Sequence, residues 1–133
     1  METRGKFMNY TRFGACVTTL VLALASGSAQ ADGDPTAGKK VYNKCKACHA
    51  LEVGKNKVGP SLAGVFGRNA GLVEGFKYSD AMSASGVVWS EESLDKYLAD
   101  PKGFVPGNKM TFRGLKKEDD RENVIAYLKG ATQ

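Results

Sequence analysis

The chain has 133 residues, 42% of them hydrophobic, and a formal net charge of +5. This length fits a single domain behind a short leader, and the modest positive charge does not predict nucleic-acid binding. The net charge falls to +3 without residues 1–31, because these hold three basic residues and one acidic residue.

The N-terminal segment has the features of a cleaved secretory signal peptide. Three basic residues precede the apolar stretch 15–25, which is too short to span a bilayer. Small residues then lead to Ala31 in the pattern of a signal-peptide cleavage site. We therefore expect residues 1–31 to be removed and residues 32–133 to form the mature domain in the periplasm.

Short helical segments separated by Gly-rich loops follow, so the predicted fold class is all-α. Serine, aspartate or proline begins most of these segments, where helix caps and first turns favour them. Pro101 should end the fourth segment because proline cannot continue a helix. The predicted segments run from 34 or 35 to about 46, over 61–66, over 79–84, from 90 to 100, and from 117 or 118 to 129.

Cys45, Cys48 and His49 form a Cys-x-x-Cys-His run, the signature of covalent haem attachment. Two thiols three positions apart can add to the two vinyl groups of one porphyrin, and the adjacent imidazole can bind its iron. The alternatives are a thioredoxin-like redox pair, which does not need the histidine, and half of a zinc site. A zinc site needs four ligands, and this chain has one histidine. The motif predicts one haem c per chain.

Met110 is the candidate for the second axial ligand of the iron. Only Met82 and Met110 remain once the leader is removed. Met110 follows Pro106 and Gly107 in a loop, whereas Met82 lies in a predicted helical turn, where hydrophobic packing is the commoner explanation. A thioether opposite an imidazole favours ferrous iron and fills the coordination sphere. His49 and Met110 together therefore predict an outer-sphere electron carrier and not an enzyme.

The mature chain resembles class I cytochrome c, most closely the bacterial cytochrome c2 group. The resemblance covers nearly all of residues 33–133. It implies a cytochrome c fold, with four to five short helices and long loops wrapped around one covalent haem. Beyond the attachment motif, the segments that carry it are 38–42, 58–62, 75–81, Trp89, 97–98, 106–110 and 124–128.

The resemblance implies roles for residues around the haem. The Pro60 carbonyl would orient the ring of His49, and Tyr97 would lie near the Met110 sulfur. Gly38 would let the first and last helices cross closely. Three residues would surround a haem propionate, namely Arg68, Tyr78 and Trp89.

Two positions depart from the mitochondrial pattern. Met82 stands where mitochondrial members commonly have a buried asparagine that binds an internal water near the haem. Asn108 replaces a threonine whose hydroxyl helps to hold a propionate. At these two positions the resemblance does not carry over the family's polar network around the haem.

A set of lysines carries the prediction of a docking face. They match positions that ring the exposed haem edge in the family, although most surface lysines are simply solvated. A one-sided basic ring would steer docking onto acidic faces of redox complexes. The lysines are Lys44, Lys57, Lys102, Lys109, Lys116 and Lys117.

The resemblance implies a periplasmic monomer without stable membrane insertion. It would carry electrons from a cytochrome bc1-type complex to a terminal oxidase or a photosynthetic reaction centre. The alternative is a dedicated cytochrome subunit of a single periplasmic oxidoreductase. A ligand-binding or peroxidatic haem protein would need an open iron site, and Met110 argues against that.

Overall fold

The computed structural model describes residues 33–133, and the predicted signal peptide lies outside this range. The described chain is all-α, as predicted, and its only β pairing is an isolated bridge between Asn69 and Val88. Within residues 33–133, no helix is long and apolar enough to cross a membrane. The helices are α1 (Pro35–Tyr42), α2 (Asp80–Ser83), α3 (Glu91–Ala99), α4 (Pro101–Phe104) and α5 (Glu118–Ala131).

The ends of α1 follow from local hydrogen bonding. The Asp34 side chain accepts a hydrogen bond from the Thr36 backbone N–H at 2.7 Å, and Pro35 occupies the first turn. The helix ends at Tyr42, four residues before the predicted end, and the chain continues in tight turns. These turns carry the Cys-x-x-Cys-His motif.

The prediction of a helix over 61–66 is wrong. The Ser61 hydroxyl does accept from the Ala63 backbone N–H, as a capping serine would, at 3.1 Å. Gly64 then adopts a φ of +60°, which takes the backbone out of the right-handed helical region. The Gly64 N–H bonds instead to the Thr132 carbonyl at 2.6 Å. The segment is therefore a loop held by the C-terminus of the chain.

Pro101 ends α3 as predicted, but it also begins α4, which the sequence analysis did not predict. The Asp100 side chain caps the new helix by accepting from the Gly103 backbone N–H at 3.1 Å. A proline in the first helical turn is well tolerated because its missing N–H has no partner there. The resulting helix positions the loop that carries Met110.

Helices α1 and α5 cross at Gly38, as the resemblance implies. A Cβ at Gly38 would lie 1.9 Å from the Asn123 backbone oxygen, so only glycine permits this approach. The rings of Tyr42 and Tyr127 pack beside the crossing, with centroids 5.4 Å apart. The fully buried Val124 of α5 lies in the same hydrophobic cluster. This crossing forms one side of the core.

The core consists of two hydrophobic clusters that both line a central cavity. The α1–α5 cluster contributes Leu62, Val124 and Leu128 to the lining. The second cluster, around α2, α3 and α4, contributes Trp89 and Tyr97. A domain of this size buries limited apolar surface by itself. A group that fills the cavity would therefore complete the core.

Candidate functional site

The cavity between the two clusters has a volume of about 600 Å³ and is lined mainly by apolar side chains. Cys45, Cys48, His49 and Met110 all reach its wall. Cavities of this size and character are typical of cofactor sites. The structure thus brings together the residues that the sequence analysis singled out for haem attachment and ligation.

The attachment residues are arranged by successive backbone turns after α1. The N–H groups of Cys48 and His49 both bond to the Cys45 carbonyl, at 3.0 and 2.9 Å. This geometry places two thiols and an imidazole on one wall of the cavity. Neither cysteine forms a disulfide. Burial is the main cause of the raised pKa of Cys45, which the neighbouring Lys44 ammonium partly opposes.

His49 is held by the predicted hydrogen bond to Pro60. Its Nδ1 lies 2.8 Å from the Pro60 carbonyl oxygen, so Nδ1 donates and Nε2 is left as the ring nitrogen that can bind a metal. Burial lowers the pKa of His49, and the nearby Lys57 charge acts in the same direction, whereas the Pro60 bond opposes both. Burial therefore favours the neutral form that ligation requires.

The segment 56–61, which contains the Pro60 partner of His49, is held by a small polar network. Asn56 accepts from the Ser61 backbone N–H and donates to the Glu74 carbonyl, both at 2.9 Å. The Ser61 hydroxyl donates to the Glu52 carbonyl at 2.6 Å. These bonds hold Pro60 in place to orient the imidazole.

Met110 also lines the cavity and belongs to the segment 105–112, which we call the ligand loop. The Tyr97 hydroxyl donates a hydrogen bond to the Met110 sulfur at 3.7 Å, close to the contact that the resemblance implies. Burial raises the pKa of Tyr97 to about 12, so this hydroxyl keeps its proton at neutral pH. The Tyr97 ring packs against Trp89 and Phe104, with centroids 5.1 and 6.2 Å away. Met82 also lines the cavity.

Arg68, Tyr78 and Trp89, the three residues expected around a haem propionate, line the same cavity. The Arg68 guanidinium donates to the carbonyls of Ala63 and Ser61 at 2.7 and 3.0 Å. Burial lowers its pKa, and no ion pair to a carboxylate is found for it within residues 33–133. A half-buried cation with only carbonyl partners is a suitable neighbour for a propionate.

Two thiols, an imidazole and a thioether around one apolar cavity fit haem c. The family model for cytochrome c matches residues 35–132. The chain belongs to the cytochrome c family. It therefore binds one haem c covalently and acts as an electron carrier.

The relatives agree with this assignment. Cytochrome c2 iso-2 of Magnetospirillum fulvum is 62% identical over 88 residues, which span 66% of this chain and 92% of that protein. Cytochrome c-550 of Nitrobacter winogradskyi is 53% identical over 97 residues, which span 72% and 89% of the two chains. The structure of cytochrome cH from Methylobacterium extorquens superposes with a TM-score of 0.69 at 46% identity, covering 74% of this chain and 99% of that one.

Two of the six lysines predicted to form a docking face, Lys44 and Lys109, line the cavity itself. Lys44 also lies 3.6 Å from Asp120, so part of its charge is offset. Lys109 donates to the Lys77 carbonyl, and its ammonium lies 4.6 Å from the centre of the Phe76 ring. These contacts restrict how freely Lys109 can turn towards a partner.

The other docking lysines do not line the cavity. Lys57 and Lys102 donate to carbonyls of the attachment motif and the ligand loop, at Lys46 and Asn108. Lys116 donates to the Ala99 carbonyl at 3.0 Å. Lys117 is exposed and directly precedes α5. Most of these lysines therefore have a structural contact as well as a charge.

Several residues at the site were not predicted. Arg113 lines the cavity and adds a positive charge to its lining, and Val58 lies at the cavity wall with 78% of its surface exposed. Gly59 lies directly against the His49 ring. Gly59 belongs to the segment 58–62, which carries the resemblance, and this membership is the only sign in the sequence of its contact with His49. Nothing in the local sequence indicated the contacts of Asn108 described below.

Proposed function

We propose that this cytochrome carries single electrons in the periplasm from a cytochrome bc1-type complex to a terminal oxidase or a photosynthetic reaction centre. In this proposal Cys45 and Cys48 would hold the haem covalently, and His49 and Met110 would bind its iron. The bound haem supplies a one-electron iron couple. The observation that carries the proposal is that His49 and Met110 line one cavity, each with its own hydrogen-bond partner.

The paired ligands define what kind of redox protein this is. Pro60 holds the imidazole through Nδ1, and the Tyr97 hydroxyl donates to the thioether sulfur. A thioether and an imidazole that both bound the haem iron would favour its reduced state. They would also leave no place for oxygen or peroxide, which supports electron transfer without substrate chemistry.

The charges around the cavity mouth support a transient encounter with acidic partners. Lys44, Lys109 and Arg113 line the cavity, and Lys57 and Lys102 are bonded to segments that form it. A cluster of one sign speeds association and makes it sensitive to salt. The proposed carrier is a monomer that exchanges partners and has no stable membrane insertion.

The proposal is tested by stopped-flow kinetics with isolated partner complexes. The oxidised protein is mixed with a reduced bc1-type complex, and the reduced protein with a terminal oxidase or a reaction centre. We expect second-order electron transfer in both reactions, with rate constants that fall as ionic strength rises. Exchange with one oxidoreductase only, together with co-purification with it, would replace the shuttle by a dedicated subunit.

A matched pair of variants tests the docking face. Reversing Lys116 and Lys117 to glutamate should slow both reactions at low salt, and the difference from wild type should shrink as salt is added. Reversing Lys39 and Lys40, exposed residues of α1 outside the six lysines predicted to form the docking face, changes the net charge by the same amount. Equal slowing by the two double variants would mean that net charge, and not a local docking face, controls the rate.

A further inference from the structure

Asn108 is the most fully bonded polar side chain of the ligand loop. It is 3% exposed. Its Nδ2 donates to the carbonyls of Pro101 and Val105, at 2.6 and 2.9 Å. Its Oδ1 accepts from the Met110 backbone N–H at 2.9 Å. Both amide hydrogens and the amide oxygen are therefore used.

These bonds connect the loop to a rigid element. Pro101 begins α4, and Val105 directly follows it, so the Nδ2 group spans both ends of that helix. The Oδ1 bond reaches two residues forward to Met110 and forms an Asx turn. One side chain thus joins α4 to the backbone of Met110.

The main chain of Asn108 is held as well. Its N–H bonds to the Val105 carbonyl at 3.1 Å, and its own carbonyl accepts from the Lys102 ammonium. Gly107 reaches this turn with a φ of +88°. The backbone around Asn108 is therefore fixed in the arrangement that places Met110 at the cavity, which we call closed.

We propose that Asn108 is a positioning residue that keeps the ligand loop closed and so holds the Met110 thioether in the cavity. The inference rests on the proposed role of Met110 as an axial ligand. A thioether is a soft, neutral donor that favours ferrous over ferric iron, so its retention in the oxidised protein depends on the loop. Opening the loop would break the three side-chain hydrogen bonds of Asn108, and the loss of these bonds opposes opening.

The test is a titration of the ferric holoprotein with imidazole, a small ligand that competes with Met110 for the iron. The apparent affinity reports the fraction of molecules with an open loop. Asn108→Leu, which removes all three side-chain bonds at similar size, should bind imidazole about 10- to 100-fold more tightly than wild type, or ~1.4 to ~2.8 kcal/mol. The hydroxyl of Asn108→Ser can still accept from the Met110 N–H, so this variant should have an imidazole affinity between those of wild type and Asn108→Leu.

Asn56→Leu is the matched control. Asn56 is also a loop asparagine with side-chain bonds to backbone, but it serves the His49 side of the cavity. It should lower the melting temperature without raising imidazole affinity to the level of Asn108→Leu. Amide hydrogen exchange at Met110 should speed up in Asn108→Leu and stay slow in Asn56→Leu, because only the first variant removes its acceptor.

Met110→Ala distinguishes a wrong ligand assignment for Met110 from a wrong positioning role for Asn108. This variant gives the imidazole affinity of a site that is always open. If wild type already binds imidazole as tightly as Met110→Ala, the ligand assignment fails and the role of Asn108 fails with it. If Met110→Ala gains affinity while both Asn108 variants match wild type or Asn56→Leu, the ligand assignment stands and only the positioning role is overturned.

Discussion

Gly59→Ala should displace the His49 ring. A Cβ at Gly59 would lie 2.4 Å from His49 Cε1 and 2.8 Å from both ring nitrogens. Carbon atoms in ordinary contact are ~3.5 Å apart, so the ring would have to retreat by about 1 Å. Gly59 itself is held, because its N–H bonds to the Cys48 carbonyl at 2.7 Å and its carbonyl accepts from the Lys57 N–H at 2.9 Å. We therefore expect the imidazole to move.

The displacement has two measurable consequences. Overpacking of this kind costs about 1–3 kcal/mol, and each kcal/mol lowers the melting temperature of a domain this size by roughly 4–8 °C. The 2.8 Å bond from Nδ1 to Pro60 would also lengthen or break. That bond raises the basicity of the imidazole and so favours ferric iron. If the ferric state lost about 1 kcal/mol of stabilisation and the ferrous state lost none, the reduction potential would rise by ~40 mV.

The assays are thermal melting and redox titration of the holoprotein, with Gly130→Ala as the control. A Cβ at Gly130, within α5, meets nothing within 4 Å and should stabilise the helix by up to ~1 kcal/mol without changing the potential. If Gly59→Ala matches Gly130→Ala in both melting temperature and potential, the argument that Gly59 fixes the His49 ring is wrong.

Three other predictions follow from the same structure. Gly38→Ala should cost about 3 kcal/mol or more in a denaturant melt, because its Cβ would lie 1.9 Å from the Asn123 backbone oxygen; a loss below ~0.5 kcal/mol would contradict the close crossing. Cys48→Ala should leave at most one thioether bond, read from the intact mass and the haem absorption spectrum, and an unchanged spectrum would count against attachment there. Protein prepared without haem should melt without a cooperative transition in calorimetry, since the cavity of about 600 Å³ divides its core; a sharp transition would show that the core is sufficient alone.

Features that depend on short sequence patterns were predictable. The attachment motif, the Asp34–Pro35 start of α1 and the Ser90 cap of α3 all involve residues within a few positions of one another, and the structure contains each of these local arrangements. The loop over 61–66 was mistaken for a helix because a capping serine was visible while the positive φ of Gly64 was not. The bond from the Gly64 N–H to Thr132 joins residues too distant in sequence to be inferred.

The contacts around Met110 show the same limit. Resemblance to the family implied that Tyr97 would lie near Met110, but the sequence did not predict α4 or the bonds of Asn108 to it. Those bonds exist only once α4 has formed and the loop has turned back over it. The contact of Lys109 with Lys77 likewise spans 32 residues and depends on the closed loop. Local patterns and the family resemblance therefore predicted the candidate ligands with their partners Pro60 and Tyr97, whereas the bonds that Asn108 makes to α4 needed the structure.

The central claim, that Met110 closes the iron site opposite His49, is tested most directly by the far-red charge-transfer band between thioether and ferric iron. The band should be present in the oxidised wild-type protein and in Met82→Leu, and absent in Met110→Ala. Met82→Leu is the informative comparison because Met82 is the other methionine that lines the cavity. Loss of the band in Met82→Leu and its survival in Met110→Ala would contradict the account.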